Sequence, residues 1–393
     1  MNKIETKNLF IEIRDKDFII LAGEYDEELN FKVLEKETVS SFGILNCKII
    51  DLNKCVDDLK TGIQKIENKI NYLFETVNVI TNFFDCDCVS VSGFKKLNGN
   101  QILSDDISFI LNDIKNKLVE SETKKTIMHL FNTKYLLDNK SMKNLPIGLY
   151  GDFYSHQLTF FLANNNELKN ISNLFNKCNL SLNKVILKSF AEGIEFINEY
   201  NEDTFFKINI RKNKIQIIHF YESAFCYFQN FNYGSDLIYK DISKVCSIDA
   251  EKVSNILLEN DLNLKDSYID RKYFKGTNFR KISLQHIYDI AIARIEEVVN
   301  LIYNNNTNLN YLKLNNNKIF LHFEDKNIYK KFNKDFINQF KDVEISSKYL
   351  DSKFNQSLEI FGELLSKGWI KEAIPVVHKK NSWISRIFSG FFE

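Results

Sequence analysis

Apolar residues gather at the start of the chain in three short runs, Leu9 to Ile13, Asp17 to Ala22 and Phe31 to Glu35. These runs are rich in β-branched and aromatic residues and are separated by charged turns. That pattern predicts three strands. Beyond Cys47 to Ile50 the pattern changes: Leu52, Val56, Leu59, Ile63, Ile66 and Ile70 recur at steps of three and four, which predicts a helix with one apolar face. Three strands and then a helix form the opening of an α/β layer fold.

Residues 84–164 follow a different rhythm. A strand is expected at Cys88 to Val91, a helix at Asp105 to Val119, and further strands at Thr126 to Phe131 and His156 to Leu162. Leu145-Pro146-Ile147-Gly148 supplies a turn, and the whole reads as a small α+β insertion. A helix (Asn166 to Cys178), a buried strand (Lys184 to Leu187) and another helix (Ser189 to Tyr200) follow. The opening pattern then returns: Phe205 to Ile210, Ile215 to Tyr221 and Ala224 to Asn230 read as three strands, and Ser235 to about Tyr303 as helix-rich. A strand at Lys318 to Phe323 and two helices complete the series. Two copies of one pattern predict a duplicated α/β fold with a cleft between its lobes. A length of 393 residues accommodates this, because domains run to roughly 100–200 residues.

Composition narrows the function classes. Lys plus Arg and Asp plus Glu both total 52, so the formal net charge is zero and the basic stripe of a nucleic-acid binder is absent. The seven cysteines are odd in number, and only Cys86 and Cys88 lie close together, without the second pair that a tetrahedral zinc site needs. Reduced thiols in a reducing compartment, and no metal, are expected. The N-terminus has no apolar signal-peptide core, and no run of about 18 apolar residues predicts a membrane span. Glycine (13) and proline (2) are scarce, whereas Asn reaches 48 and Lys outnumbers Arg 46 to 6. An A+T-rich genome accounts for such a bias. Few glycines also mean few turns in which backbone can approach a phosphate.

The final residues are amphipathic at helical spacing. With Trp383 at zero and about 100° per residue, Ile387, Phe391, Ile384, Phe388 and Phe392 fall between about 40 and 180°. Ser382, Ser385, Arg386, Ser389, Gly390 and Glu393 take the opposite face, and Lys379-Lys380 leads in. Large aromatics behind a basic approach fit a helix lying in the plane of a membrane surface. Docking of the same face on the protein's own core is the alternative. A short helix with so small a charge excess binds weakly alone, so several copies acting together are implied.

At this point the chain resembles FtsA, the actin-like bacterial family that ties the FtsZ division ring to the membrane. The resemblance is carried by Leu9 to Tyr25, by Ser41-Phe42-Gly43-Ile44 with Ile50-Asp51-Leu52, by Ser92-Gly93 and by Leu145-Pro146-Ile147-Gly148-Leu149-Tyr150-Gly151. Asn166 to Glu192, Tyr239 to Ile242, Arg280 with Ile290 to Arg294, and the segment from Ser382 extend it. The resemblance implies an actin-like (ribonuclease H-like, duplicated) two-lobed α/β fold with a small α+β subdomain inserted in the first lobe. Its first-lobe core would be 1–83 and 165–200, the insert 84–164, and the second-lobe core 201–233 and 295–368. A helical subdomain at 234–294 would bind the C-terminal tail of FtsZ, with Arg280 and Arg294 as candidates, although either arginine also suits a local helix cap or ion pair. Residues 369–380 would form a linker and 381–393 the membrane-targeting helix, with Trp383, Ile384, Ile387, Phe388, Phe391 and Phe392 against lipid and Lys379, Lys380 and Arg386 beside it.

The family's ATP and magnesium site is where this sequence departs from the pattern. In the first phosphate turn, Glu12 to Asp17, Arg14 stands in place of a glycine, next to Lys16. The second turn, matched to Lys207-Ile208-Asn209-Ile210-Arg211-Lys212, has no glycine, and Lys207 stands where an acidic residue is expected. The adenosine loop reads Leu321-His322-Phe323, with Phe323 either filling the space of the base or packed in the core. Two readings follow. Either the nucleotide site is lost and no cofactor binds, or Arg14, Lys16, Lys207, Arg211 and Lys212 hold an anion without magnesium. The function expected is a non-catalytic division adaptor on the cytoplasmic face of the bacterial plasma membrane. Its partners would be the FtsZ tail, other copies of itself, other division proteins and lipid, and not nucleic acid. The alternatives are an active ATPase or sugar-kinase-like enzyme, and an actin-like scaffold of a pilus or secretion machine.

Overall fold

The computed structural model describes residues 7–82, 86–260, 267–274, 280–313, 318–341, 343–350 and 356–375. The amphipathic C-terminal segment, with Lys379, Lys380, Trp383, Ile384, Arg386, Ile387, Phe388, Phe391 and Phe392, lies outside the described residues. The chain divides into two units, Met1–Asp203 with Phe220–Tyr227 and Asn355–Glu393, and Thr204–His219 with Phe228–Phe354.

The strands at the start of the chain are β1 (Asn8–Ile13), β2 (Asp17–Tyr25) and β3 (Phe31–Ser40), followed by the small hairpin β4 (Ile44–Leu45) and β5 (Lys48–Ile49). Helix α1 (Leu52–Ile70) starts where Asp51 accepts the Lys54 amide and ends at Asn71, which takes the left-handed conformation at φ 51°. Its buried stripe of Cys55, Val56, Leu59, Ile63 and Ile66 is the apolar face that the spacing predicts. Strand β6 (Thr76–Thr81), which the hydrophobic pattern did not disclose, lies at the heart of the first sheet.

The inserted region supplies β7 (Asp87–Lys96), α2 (Ser104–Ser121), β8 (Lys125–Leu137), β9 (Lys140–Met142) and β10 (Phe153–Asn164). Ile107, Ile110 and Ile114 of α2 share one core with Leu130, Leu158 and Phe160 of the sheet. Gly148 turns the chain before β10 at φ +80°, a conformation that a side chain would strain. Then come α3 (Asn165–Lys177), β11 (Ser181–Leu187) and α4 (Lys188–Tyr200).

The second half begins with β12 (Phe205–Ile210), β13 (Ile215–Tyr221) and β14 (Ala224–Phe231), followed by helices α5 (Asp236–Cys246), α6 (Ala250–Glu259) and α7 (Leu284–Val299). Strand β15 (Lys318–Phe323), α8 (Lys326–Gln339), β16 (Ile345–Tyr349), α9 (Ser357–Lys367) and β17 (Glu372–Pro375) complete it. Strand β17 falls inside the stretch read as a linker and pairs antiparallel with β8 at the edge of the insert's sheet.

The duplication is visible in the strand orders. The first sheet runs β11-β6-β1-β2-β3 and the second β16-β15-β12-β13-β14. In each, the first strand of a three-strand series is central, the second and third lie on one side, and two later parallel strands lie on the other. This is the two-lobed α/β architecture of the actin-like fold. The third sheet, β17-β8-β10-β7, belongs to the insert.

Candidate functional site

The two sheets each carry one tight turn between their first two strands, and the residues singled out for phosphate binding lie on and beside these turns. In the first, the Arg14 amide donates to the Asp17 carbonyl at 3.0 Å. The Arg14 guanidinium folds back over its own turn, with Nη2 donating to Asp17 Oδ2 at 2.6 Å and Nε donating to the other carboxylate oxygen. That pairing raises the Arg14 pKa above its already high ordinary value, so the side chain remains charged and held. The Lys16 carbonyl accepts the Ser41 amide at 2.9 Å, and the Lys16 side chain is exposed.

Behind this turn lies a buried charge cluster that the motifs did not single out. Glu12, on β1, is 1% exposed, and its carboxylate accepts from Lys188 Nζ at 2.5 Å. Glu192, one turn along α4, lies 3.9 Å from the same ammonium. Lys188 opens α4 immediately after β11, so two buried carboxylates share a cation supplied by the start of that helix, two strands away from β1 in the sheet. A buried carboxylate is tolerated only with such compensation.

The second turn has the same backbone plan. The Arg211 amide donates to the Lys214 carbonyl at 3.0 Å, directly after Ile210, just as Arg14 directly follows Ile13. Lys207 is buried within β12, and Asn209 holds the position that Glu12 holds in β1. Asn209 Nδ2 donates to Gln216 Oε1, and Gln216 Nε2 donates to Asn230 Oδ1, both at 3.1 Å, so an amide relay takes the place of the ion cluster.

The backbone of this turn is spoken for. Its Arg211 and Lys212 carbonyls accept the amides of Ser235 (3.0 Å) and Asp236 (2.9 Å) at the start of α5. The Lys212 amide, which in a phosphate turn would face the ligand, donates to the Glu324 carboxylate at 3.2 Å. Gly234 makes the approach feasible: a Cβ there would lie 2.2 Å from the Arg211 oxygen. On the neighbouring strand, His322 stands opposite Asn209 and Phe323 opposite Ile210. Both are buried, and Phe323 packs against Phe336 and Tyr329, with ring centroids at 5.2 and 5.6 Å. Of the two placements expected for Phe323, this is packing in the core.

The candidate partner-binding arginines lie in the helical part of the second unit. Arg294 on α7 is ion-paired through Nε with Asp241 of α5 and through Nη1 with Glu297 at 2.6 Å. Arg280 reaches the Ser247 hydroxyl at 3.5 Å, at the end of α5. Arg294 thus makes the local ion pairs given as its alternative role, and Arg280 a single contact with a serine hydroxyl. Among the described residues no group of three or more His, Cys, Asp or Glu side chains could hold a metal ion, and no helix is long and apolar enough to cross a membrane.

No protein-family profile matches the chain. Individual curated relatives do. The chain is 23% identical over 304 residues to the cell division protein FtsA of Buchnera aphidicola subsp. Schizaphis graminum, covering 75% of this chain and 71% of the relative. It is 17% identical over 298 residues to the cell division protein FtsA of Escherichia coli K12, covering 74% and 70%. The chain is FtsA-like over three quarters of its length. Among solved structures it resembles the PilM-PilN type IV pilus biogenesis complex, with a TM-score of 0.51 and 8% identity over 93% of this chain and 97% of the other. That likeness is one of fold.

Glu12, Lys188, Glu192, Gly234 and Glu324 escaped the sequence reading. Glu12, Gly234 and Glu324 act through partners distant in sequence, Lys188, Arg211 and Lys212, and Glu192 joins them only through Lys188. The one signal available was position: Glu12 stands among the apolar residues of β1, one before its last, where a carboxylate is not buried unless something pairs with it.

Proposed function

We propose that this protein is an FtsA-like, non-catalytic adaptor of bacterial cell division that links FtsZ filaments to the cytoplasmic face of the plasma membrane and self-assembles. The likeness to curated FtsA proteins over three quarters of the chain, in two species, supports the division role. Membrane attachment rests on the amphipathic pattern of residues 381–393, with Trp383, Ile384, Ile387, Phe388, Phe391 and Phe392 on the lipid side. FtsZ-tail binding is assigned to the helical region 234–294. Because Arg294 is already engaged by Asp241 and Glu297, Arg280 is the better placed of the two arginines to meet an acidic peptide.

The observation that carries the non-catalytic reading is the second turn. Its Lys212 amide, a donor of the kind a phosphate would need, is bonded to the Glu324 carboxylate, and its carbonyls hold the start of α5 against it. The first turn agrees, since Lys188 already supplies the charge that a magnesium ion would bring to Glu12. These residues do not fit a magnesium-bound triphosphate, and phosphoryl transfer without a positioned metal or base is not supported. Titration with a fluorescent ATP analogue tests this: no saturation is expected with or without magnesium, and micromolar, magnesium-dependent binding would overturn it. Removing residues 379–393 is expected to release the folded protein from vesicles, and unchanged flotation with lipid would refute the anchor.

A further inference from the structure

Three large apolar side chains are presented to solvent within nine residues of one another: Phe42 is 88% exposed, Leu45 51% and Ile50 62%. They lie on the β4–β5 hairpin and the residues flanking it, and the hairpin is firmly built. Ile44 pairs with Ile49 and Leu45 with Lys48, and the connecting Asn46 and Cys47 both take positive φ, at 50° and 61°, the turn geometry that suits a two-residue hairpin. The Ile50 and Asp51 amides both donate to the Gly43 carbonyl, at 2.8 and 3.1 Å. The Ser41 hydroxyl accepts the Gly43 amide at 3.1 Å, and the Ser41 amide is tied to Lys16. Ile44 alone turns into the core, at 3% exposure. A rigid hairpin that buries one apolar residue and holds three outward is an unpartnered apolar knob.

The course of the chain says what this knob faces. Strand β17 pairs Glu372 with Phe131, Ile374 with Leu130 and Pro375 with His129, so it runs towards the beginning of β8. That end of β8 abuts the start of α3: the Lys124 carbonyl accepts the Asn165 amide at 3.0 Å. Glu167, in the first turn of α3, is ion-paired at 3.0 Å with Lys48 of the hairpin, two residues before Ile50. The root of β17 is fixed by a buried imidazole–carboxylate contact, His129 Nδ1 to Glu372 Oε1 at 2.6 Å, while His129 Nε2 accepts the Leu187 amide at 3.1 Å. The Trp369 indole also donates to the Ser223 carbonyl at 2.7 Å. The five residues 376–380 that separate this strand from the amphipathic segment can reach at most about 18 Å. The end of β17, from which the chain runs on to the amphipathic segment, and the knob therefore lie at the same end of the first unit.

We propose that Phe42, Leu45 and Ile50 form a second membrane-contact element, which enters the same lipid surface as the C-terminal amphipathic segment. This rests on the membrane reading above and deepens it. A short helix of low charge holds a bilayer weakly by itself, and a rigid apolar hairpin on the same side turns one weak attachment into two linked ones. It also fixes how the first unit is turned towards the bilayer, which a helix on a connector does not. The contact is carried by apolar side chains, and Lys48 beside them is ion-paired with Glu167.

Flotation of the full-length protein with phosphatidylethanolamine–phosphatidylglycerol vesicles tests this in two variants. Phe42→Ser with Ile50→Ser is expected to lower vesicle partitioning about ten-fold with thermal unfolding unchanged, because both side chains are exposed. Trp383→Ser with Phe388→Ser is expected to lower it further. If the hairpin variant partitions like the wild type while the tail variant is released, the second contact is refuted and the anchor stands. If the wild-type protein does not float at all, both fall. If the hairpin variant floats normally but sediments as a smaller species, the knob is a protein contact and the proposal is overturned.

Discussion

The two turns at the head of the two sheets share a backbone and little else. Both close with an amide-to-carbonyl bond of 3.0 Å from an arginine that directly follows an isoleucine. In the first unit the arginine is clasped by the acid three residues on, and the buried carboxylate behind it is neutralised by Lys188. In the second, the residue three on is Lys214, the buried position behind is a neutral asparagine, and the turn is steadied through its backbone by α5 and Glu324. One duplicated frame has thus been closed in two ways, by side-chain charge on one side and by backbone caps on the other. A turn can lose its glycines and keep its shape provided that its polar groups find new partners within the chain.

The largest effect should come from removing the shared cation. Lys188→Met leaves Glu12 buried beside Glu192 and is expected to cost about 3 kcal/mol in urea unfolding, with much of that recovered when Glu12→Gln is added. A second variant that recovers nothing would mean the ion cluster is not what steadies the first turn. Gly234→Ala attacks the other closure, driving a methyl group against the Arg211 carbonyl, and should cost about 2 kcal/mol. A neutral outcome would show that the α5 caps are dispensable.

Acid sharpens the comparison because each unit also buries a histidine whose pKa is pushed down. Burial pushes His156 down to about 3 and His219 down to about 4. Both folded-state values lie below the ordinary histidine value, so the unfolded chain binds these protons first. Their contribution is complete above about pH 6.5 and is lost as pH falls towards 4, by up to about 1.4 kcal/mol per pH unit for each. His156→Leu and His219→Leu should each flatten the fall of Tm between pH 6.5 and 4, and an unchanged slope would contradict the assignment. The smallest effect is expected from Arg14→Ala. Its pair with Asp17 is partly exposed, so a loss within about 1 kcal/mol should appear in the same unfolding curves, with no gain of ATP binding.

Periodic elements were legible from sequence wherever their own residues carried the signal. The three strands of the second half and helix α1 match their apolar spacing almost residue for residue. Strand β6 was missed because Asn78 sits in its middle. That side chain is buried at no cost to the sheet, since it accepts from Asn183 Nδ2 at 2.9 Å and donates to the Leu9 carbonyl, and both partners are remote in sequence. Strand β17 was missed because four residues ending in proline resemble a connector until β8 is placed beside them. The candidate site divides in the same way. The absence of glycine at both turns is written in the sequence, whereas Lys188, Gly234 and Glu324 enter only through contacts between distant segments.

The sequence by itself determined the repeated strand–helix order, the inserted region, the absence of glycine at the two turns and the amphipathic end of the chain. Each of these is a property of neighbouring residues and of a period of two or 3.6. The tertiary structure decided the register of the second turn, placing Asn209 rather than Lys207 where Glu12 stands in the first. It also decided which carbonyls, carboxylates and ammonium groups close the two turns. A buried polar group is stable only with a partner, and the fold, not the local sequence, brings that partner within hydrogen-bonding distance.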